Sequence, residues 1–344
     1  VRDDQKEGTM NKKARGMIVI LSLTLALAML SACTPAATTT TTTTQAPVTV
    51  RVAGLNGPTG IGLVKLMADS DAKTTQNAYT FSLTSTPDDI VAQVSSGQVD
   101  IAALPTNMAA ILYQKTSQNI QLLAINTLGV LYILEQGDTV TSLQDLAGKE
   151  ILASGQGATP EYAINELLSQ AGIQDQVTVT YKTEHQELAT LAASGQADLV
   201  LLPEPFVTTV LNKNPKMRIA LDLTEVWQKV HEGKNESELA MGCMIVSKAF
   251  ASQHPQAVKT FLEEYQSSVA YVNANTEQAG ALVAQYKIMG DAALAAKAIP
   301  NCYIVLIDGD AMQKTLEPFY QVLLDANPKS IGGKLPDVDF YYVP

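Results

Sequence analysis

Ile90–Lys115 reads IVAQVSSGQVDIAALPTNMAAILYQK, and Leu188–Lys213 reads LATLAASGQADLVLLPEPFVTTVLNK. Laid over one another, Ser96, Gly97, Gln98, Asp100, Leu104, Pro105 and Lys115 fall on Ser194, Gly195, Gln196, Asp198, Leu202, Pro203 and Lys213. Each copy runs from a helix through a glycine stop into a short apolar strand, which a proline ends at the start of another helix. Upstream, AGLNGPTG from Ala53 matches ASGQGATP from Ala153, so that Gly57 and Thr59 fall on Gly157 and Thr159. The chain therefore encodes two similar α/β lobes.

Working outward, VTVRVAGL from Val48 alternates and then runs apolar, as a strand does. NGPTGIG turns into the helical GLVKLMAD, and the strand TFSLTS follows. Thr86 is a natural N-cap for the next helix, Pro87 suits its first position, and Asp88 and Asp89 favour the positive end of its dipole. Strands alternating with helices mean βαβ units and a largely parallel sheet. Ligands of such sheets sit beyond the carboxyl ends of the strands, near helix starts. Two facing lobes thus predict a cleft lined by paired turns. The first lobe offers Asn56, Gly57, Pro58, Thr59, Thr84, Ser85, Thr106 and Asn107. The second offers Gly155, Gln156, Gly157, Thr159, Lys182, Thr183 and Glu204, and Asn126 lies at the expected crossover.

Composition excludes several classes. The 344 residues are 46% hydrophobic and 17% charged, as expected of a folded chain of about two domains. A net charge of −11 argues against a phosphate-tracking surface, so nucleic acid is not an expected partner. Three cysteines are too few for a disulfide scaffold, and His185, His231 and His254 have no metal-ligand spacing. No nucleophile elbow, phosphate-cradling loop or Cys/His pairing stands out, so no catalytic residue, metal or cofactor is expected. His185, between Glu184 and Glu187, reads as a solvated helix start.

The N-terminus reads as an address. From Met10, which we read as the true start, a basic stretch with Lys12, Lys13 and Arg15 precedes the uncharged run Met17–Leu30. That run has the length of a signal-peptide core and is too short to span a bilayer. Leu30-Ser31-Ala32-Cys33 resembles the bacterial lipobox, which implies cleavage before Cys33 and a lipid on its sulfur. Residues 1–32 are then signal, and 33–47, rich in threonine, a flexible tether.

Lipobox, tether and the doubled SGQ-x-D-x3-LP together resemble an extracytoplasmic solute-binding protein of an ABC importer. SLQDLAGKEILASGQGATPEYAINELLSQAGI from Ser142, LLPEPF from Leu201 and MGCMIVSKAFASQHPQAVKTFLEEY from Met241 resemble the nitrate, sulfonate, taurine and thiamine-pyrimidine-precursor branch. The resemblance implies a type II periplasmic-binding-protein fold. Residues 48–128 and 240–344 would form lobe one and 129–239 lobe two. It also implies a lipid-anchored, monomeric protein outside the cytoplasm that closes on a small solute and docks on a membrane permease. A dehydratase-like enzyme of menaquinone synthesis on the same fold, with His185 as acid or base, is the competing reading, and a ligand sensor is another.

Among the turn residues Lys182 is the only base and no arginine occurs, whereas Glu204 and Glu161 are acidic. This favours a neutral or cationic solute such as an aminopyrimidine over sulfonate or nitrate, which remain the alternative. Glu204 reads equally as a cap for the helix that follows it. Cys243 and Cys302 are candidates for a disulfide or, alternatively, two small buried apolar residues.

Overall fold

The computed structural model describes residues 48–233 and 237–343. Met10, the signal segment, the lipidation site at Cys33 and the threonine-rich stretch lie outside the described residues. Pro47–Pro344 forms one compact unit.

β1 (Thr49–Leu55) leads through the short α1 (Pro58–Ile61) into α2 (Val64–Asp71), and the chain returns as β2 (Ala78–Thr84). Then come α3 (Pro87–Ser95), β3 (Ile101–Pro105), α4 (Thr106–Lys115) and β4 (Ile120–Leu128). A second series follows: β5 (Leu131–Gln136), β6 (Glu150–Ser154), α5 (Thr159–Gln170), β7 (Thr178–Lys182) and α6 (His185–Ala193). It ends with β8 (Leu199–Pro203), α7 (Phe206–Lys213), β9 (Met217–Asp222) and α8 (Leu223–His231). The C-terminal part holds β10 (Ala240–Ser247), α9 (Lys248–Gln253), α10 (Pro255–Ala274), α11 (Thr276–Gln285), α12 (Ala292–Ala298), β11 (Ile304–Ile307) and α13 (Gly309–Ala326).

One sheet has the order β11-β4-β10-β3-β1-β2 and the other β7-β6-β8-β5-β9. The repeat is visible in the pairing. β1 lies parallel between β2 and β3, as β6 lies parallel between β7 and β8. The register differs by one residue: Val52 faces Ile101, whose counterpart is Leu199, whereas Leu152 faces Val200. β3 and β8 are buried along their whole length, as central strands with both faces covered must be. Each sheet also receives one antiparallel strand just after the chain has crossed: β5 beside β8, and β10 beside β3. The crossing after β4 is tight. A side chain on Gly129 would stand 2.2 Å from Thr224 Oγ1, so the close approach requires glycine there.

The repeated helix stops also correspond. Gly97 and Gly195 take φ of 68° and 71°. Behind them the amides of Gln98 and Gln196 donate to the carbonyls of Gln93 and Leu191, both at 2.9 Å. This closes the last turn of α3 and of α6. The repeated aspartates do not correspond. Asp100 is buried and accepts from the backbone N and Nε of Arg51, each at 2.9 Å, whereas Asp198 is exposed.

Two local expectations need correction. Thr86 stands at the N-cap of α3, but its hydroxyl makes no cap bond. With Thr84 it donates to Asp89 Oδ2, at 2.5 and 2.7 Å. Cys243 and Cys302 form no disulfide: both are buried free thiols. Residues alternate faces along β10, and Cys243 points into one apolar cluster while Cys302 belongs to the other. Cys243 Sγ donates to the Leu104 carbonyl at 3.6 Å and Cys302 Sγ to that of Ala298 at 3.3 Å.

Candidate ligand-binding cleft

The carboxyl ends of β1, β3, β6, β7 and β8 meet at a single cavity of ≈ 80 Å³. On the side of the first sheet it is lined by Asn56, Gly57, Pro58, Thr59, Ser85, Pro87 and Pro105. Gly155, Ala158, Pro160, Thr183, His185 and Pro203 line it on the side of the second. Leu55, Thr127, Val130 and Met241 complete the lining. None of these residues is an aspartate, glutamate, lysine or arginine.

Of the residues expected at the cleft, Asn56, Gly57, Pro58, Thr59 and Gly155 line it, together with Ser85 and Thr183. The others lie outside the lining, and most have protein partners. Asn107 Nδ2 donates to the carbonyls of Gly157 (3.1 Å) and Ser330 (3.2 Å), while its Oδ1 accepts from Thr159 Oγ1 at 3.1 Å. Three candidate ligand residues thus bond one another, tying α4 to the start of α5. Asn126 Nδ2 donates to the Thr59 carbonyl at 3.1 Å and holds the α1 turn against β4. Thr84 donates to Asp89, Lys182 pairs with Glu187 at 3.8 Å, and Gln156 is exposed. Thr106 is fully buried, and its carbonyl accepts from Tyr320.

Glu204 follows the capping reading. Its carboxylate accepts from the Thr208 amide at 3.0 Å and the Thr208 hydroxyl at 2.8 Å, in the first turn of α7. Burial pushes its carboxyl above the usual carboxylate range, against the pull of those two bonds. The start of α5 also carries its own anion, since the Gly157 amide donates to Glu161 Oε2 at 2.5 Å.

His185 is the residue that sequence reasoning placed in solvent. It opens α6, lines the cavity, and lies 5.4 Å from the Phe206 ring between centroids. Its Nδ1 is 2.6 Å from the hydroxyl of buried Ser154, at the end of β6. Loss of hydration pushes the imidazole down to about 4, so it is uncharged at neutral pH. The repeat held the signal for it. In the better-matched copy His185 falls on Pro87, the first residue of α3, which lines the same cavity.

The sequence model of the NMT1/THI5-like family matches residues 80–279, more than half of the chain. The chain belongs to the NMT1/THI5-like family. This NMT1/THI5-like chain also resembles solved structures along most of its length. An ABC transporter protein from Parabacteroides distasonis is 22% identical, with a TM-score of 0.70, over 86% of this chain and 99% of that one. The periplasmic aliphatic sulphonate binding protein SsuA of Escherichia coli is 16% identical, with a TM-score of 0.66, over 87% and 93%. The periplasmic nitrate-binding protein NrtA of Synechocystis PCC 6803 is 13% identical, with a TM-score of 0.52, over 70% and 66%. No curated protein matches the chain. At these identities the likeness concerns the fold, which is the periplasmic-binding-protein fold that the resemblance in sequence implies. No helix among the described residues is long and apolar enough to cross a membrane, and no group of potential ligands there could hold a metal ion.

Proposed function

We propose that this protein is the solute-binding subunit of an ABC importer. Held to the membrane by a lipid on Cys33, it captures a small solute between lobes formed by residues 48–128 with 240–344 and by 129–239. It then delivers the solute, as a monomer, to a membrane permease. One observation carries this reading: two sheets of matching topology aim the carboxyl ends of their strands at one cavity. A solute that touches both walls favours the closed arrangement.

The structural relatives are named for sulphonate and nitrate. The cleft argues for a different solute. No cationic side chain lines it, and Glu161 already occupies the start of α5. The case for a cation weakens too, because Glu204 is engaged by Thr208. An uncharged solute of aminopyrimidine type fits this lining best. The enzyme alternative rests on the Ser154–His185 pair. With Ser154 buried at 1% exposure, that pair reads as a way of orienting the histidine.

A thermal-shift panel on the full chain, with aminopyrimidines, amines, amino acids, sulfonates and nitrate, tests the proposal. A true ligand at about 100 times its Kd adds about 2.7 kcal/mol of stability, a shift of a few degrees. Stabilisation by an uncharged ring is the expected outcome. Stabilisation by sulfonate or nitrate would overturn the charge argument. Turnover of any binding compound would overturn the transport reading.

A further inference from the structure

Two polar groups on the cleft lining, one from each sheet's side, have unused hydrogen-bonding capacity. Thr59 is 8% exposed, and its Oγ1 has no hydrogen-bond partner in the protein. A side chain on Gly242 would come within 2.3 Å of the Thr59 methyl, so that methyl is seated closely against the β10 backbone. On the other side, His185 engages Ser154 through Nδ1, and no bond holds its Nε2. Buried polar groups are normally paired, and each exception calls for an explanation. Thr59 is one such exception, His185 is half-buried with a free Nε2, and both residues line one cavity.

We infer that the solute is hydrogen-bonded at once by the Thr59 hydroxyl and by His185 Nε2, with Ser154 fixing the ring. This deepens the solute-binding reading and rests on it. The chemistry defines a class: a small uncharged molecule with hydrogen-bonding groups at two ends. The Thr59 hydroxyl can donate or accept. His185 Nε2 accepts when Nδ1 carries the ring proton, and Nε2–H donates when Nδ1 instead accepts a hydrogen bond from the Ser154 hydroxyl. Neither group offers a full charge, so an anion or cation would enter the cavity unpaired.

The neighbouring charges leave the imidazole neutral. Glu187, on its own helix, pairs with Lys182 of β7. Glu184 stands at the N-cap of the same helix and is exposed. Of the elements packed on α6, β6 carries Glu150, which is bonded by Thr180, and α7 carries Lys213 in its last turn. Asp198 and Glu204 flank β8, the one exposed and the other bonded by Thr208. At the cleft, Asp89 is held by Thr84 and Thr86, Glu161 by the Gly157 amide, and Asp88 is exposed. Burial alone moves His185, and it moves it toward the uncharged form.

Calorimetric titration of the full chain at pH 7.5 tests the inference. Acetamide, urea and 4-aminopyrimidine serve as uncharged probes, methanesulfonate and nitrate as anions. The variants are Thr59→Val, which keeps the shape and removes the hydroxyl, and His185→Phe, which keeps a ring and removes both nitrogens. The expected result is binding of an uncharged probe that weakens roughly tenfold or more in each variant. Thr59→Val should leave the melting temperature of the free protein unchanged or raised, because it removes a buried unpaired hydroxyl. This separates lost contact from lost folding. In histidine-15N spectra, with His185→Phe giving the assignment, the His185 ring should stay neutral from pH 8 to about 5.5. Unchanged affinity of a bound uncharged probe in both variants, binding of an anion, or titration of His185 near its ordinary value of about 6.5 would each overturn this pairing. A panel in which no probe binds would overturn the solute-binding reading itself, and the pairing with it.

Discussion

After β1 the chain passes through Asn56 and Gly57 into a helix of four residues; after β6 it passes through Gly155, Gln156, Gly157 and Ala158 into one of twelve. Gly57 has extended backbone, with φ of 172°, and nothing lies within 4 Å of where a side chain would start. Gly155 and Gly157 take φ of 84° and 75°, which only glycine adopts at low cost. The threonines that follow differ in the opposite sense. Thr159 donates to Asn107, which has Pro205 as its counterpart in the second copy, while Thr59 keeps an unpaired hydroxyl at the cavity. One turn is therefore a structural joint, and the other keeps a hydroxyl without a protein partner, which we assign to the solute. An internal repeat transmits topology and backbone course. What each copy's side chains do depends on what the rest of the chain brings against them.

The largest effect expected from breaking this contrast is at the joint. Asn107→Ala would leave the Gly157 and Ser330 carbonyls and the Thr159 hydroxyl without their partner, with Asn107, Thr159 and Ser330 all closed to solvent. A loss of about 3 kcal/mol is expected in urea unfolding. A loss below about 1 kcal/mol would mean that the joint carries no weight.

The next effect concerns the other mismatched pair, Pro87 and His185. The folded protein holds His185 near 4 and an unfolded chain holds it near 6.5. Between these values the unfolded chain binds a proton that the folded one refuses, so stability falls as pH drops from about 6.5 to about 4. The drop specific to His185, measured as wild type against His185→Phe at pH 7 and pH 4.5, should be about 2 kcal/mol, allowing for the ring's partial exposure. Asp145 acts in a lower window. Held at about 2 by bonds from Thr141 and Ser142, it is expected to lose its contribution only below pH 4 or so, in both proteins. Equal pH slopes for wild type and His185→Phe would contradict the burial argument.

The smallest effect sharpens the glycine contrast. Gly157→Ala should cost about 1 kcal/mol, because alanine must take a positive φ, whereas Gly57→Ala should be neutral within about 0.5 kcal/mol. Thermal unfolding of the two variants side by side checks it, and equal costs would remove the distinction between the turns.

Much of the architecture was legible beforehand, because hydrophobic period and glycine stops are local signals. Gly97 and Gly195 end their helices through left-handed backbone and their own amides, within five residues. β3 and β8 declare themselves as short apolar runs between turn residues. The same locality placed Asn56, Gly57, Pro58, Thr59 and Gly155 at strand ends on the cleft. Asn107, Glu204 and His185 were a different matter. Asn107 finds Ser330 more than two hundred residues away, Glu204 takes Thr208 four residues ahead, and His185 meets Ser154 from a neighbouring strand. A side chain's partner at long range leaves no periodic trace, and polar residues at helix starts look alike in sequence whether they cap, clamp or face a ligand. The thiols make the same point. Cys243 and Cys302 sit in a segment that returns to the six-stranded sheet, yet period-2 alternation along β10 puts Cys243 on the face away from Cys302.

The two sheets, the strand order within each repeat and the position of the cavity thus follow from short-range pattern and the handedness of βα units, which act along the chain. The charge of the cavity and the division of its polar groups into joints and open valences came only with folding. Desolvation and hydrogen-bond pairing depend on which distant atoms share a site, and packing the two sheets together sets that.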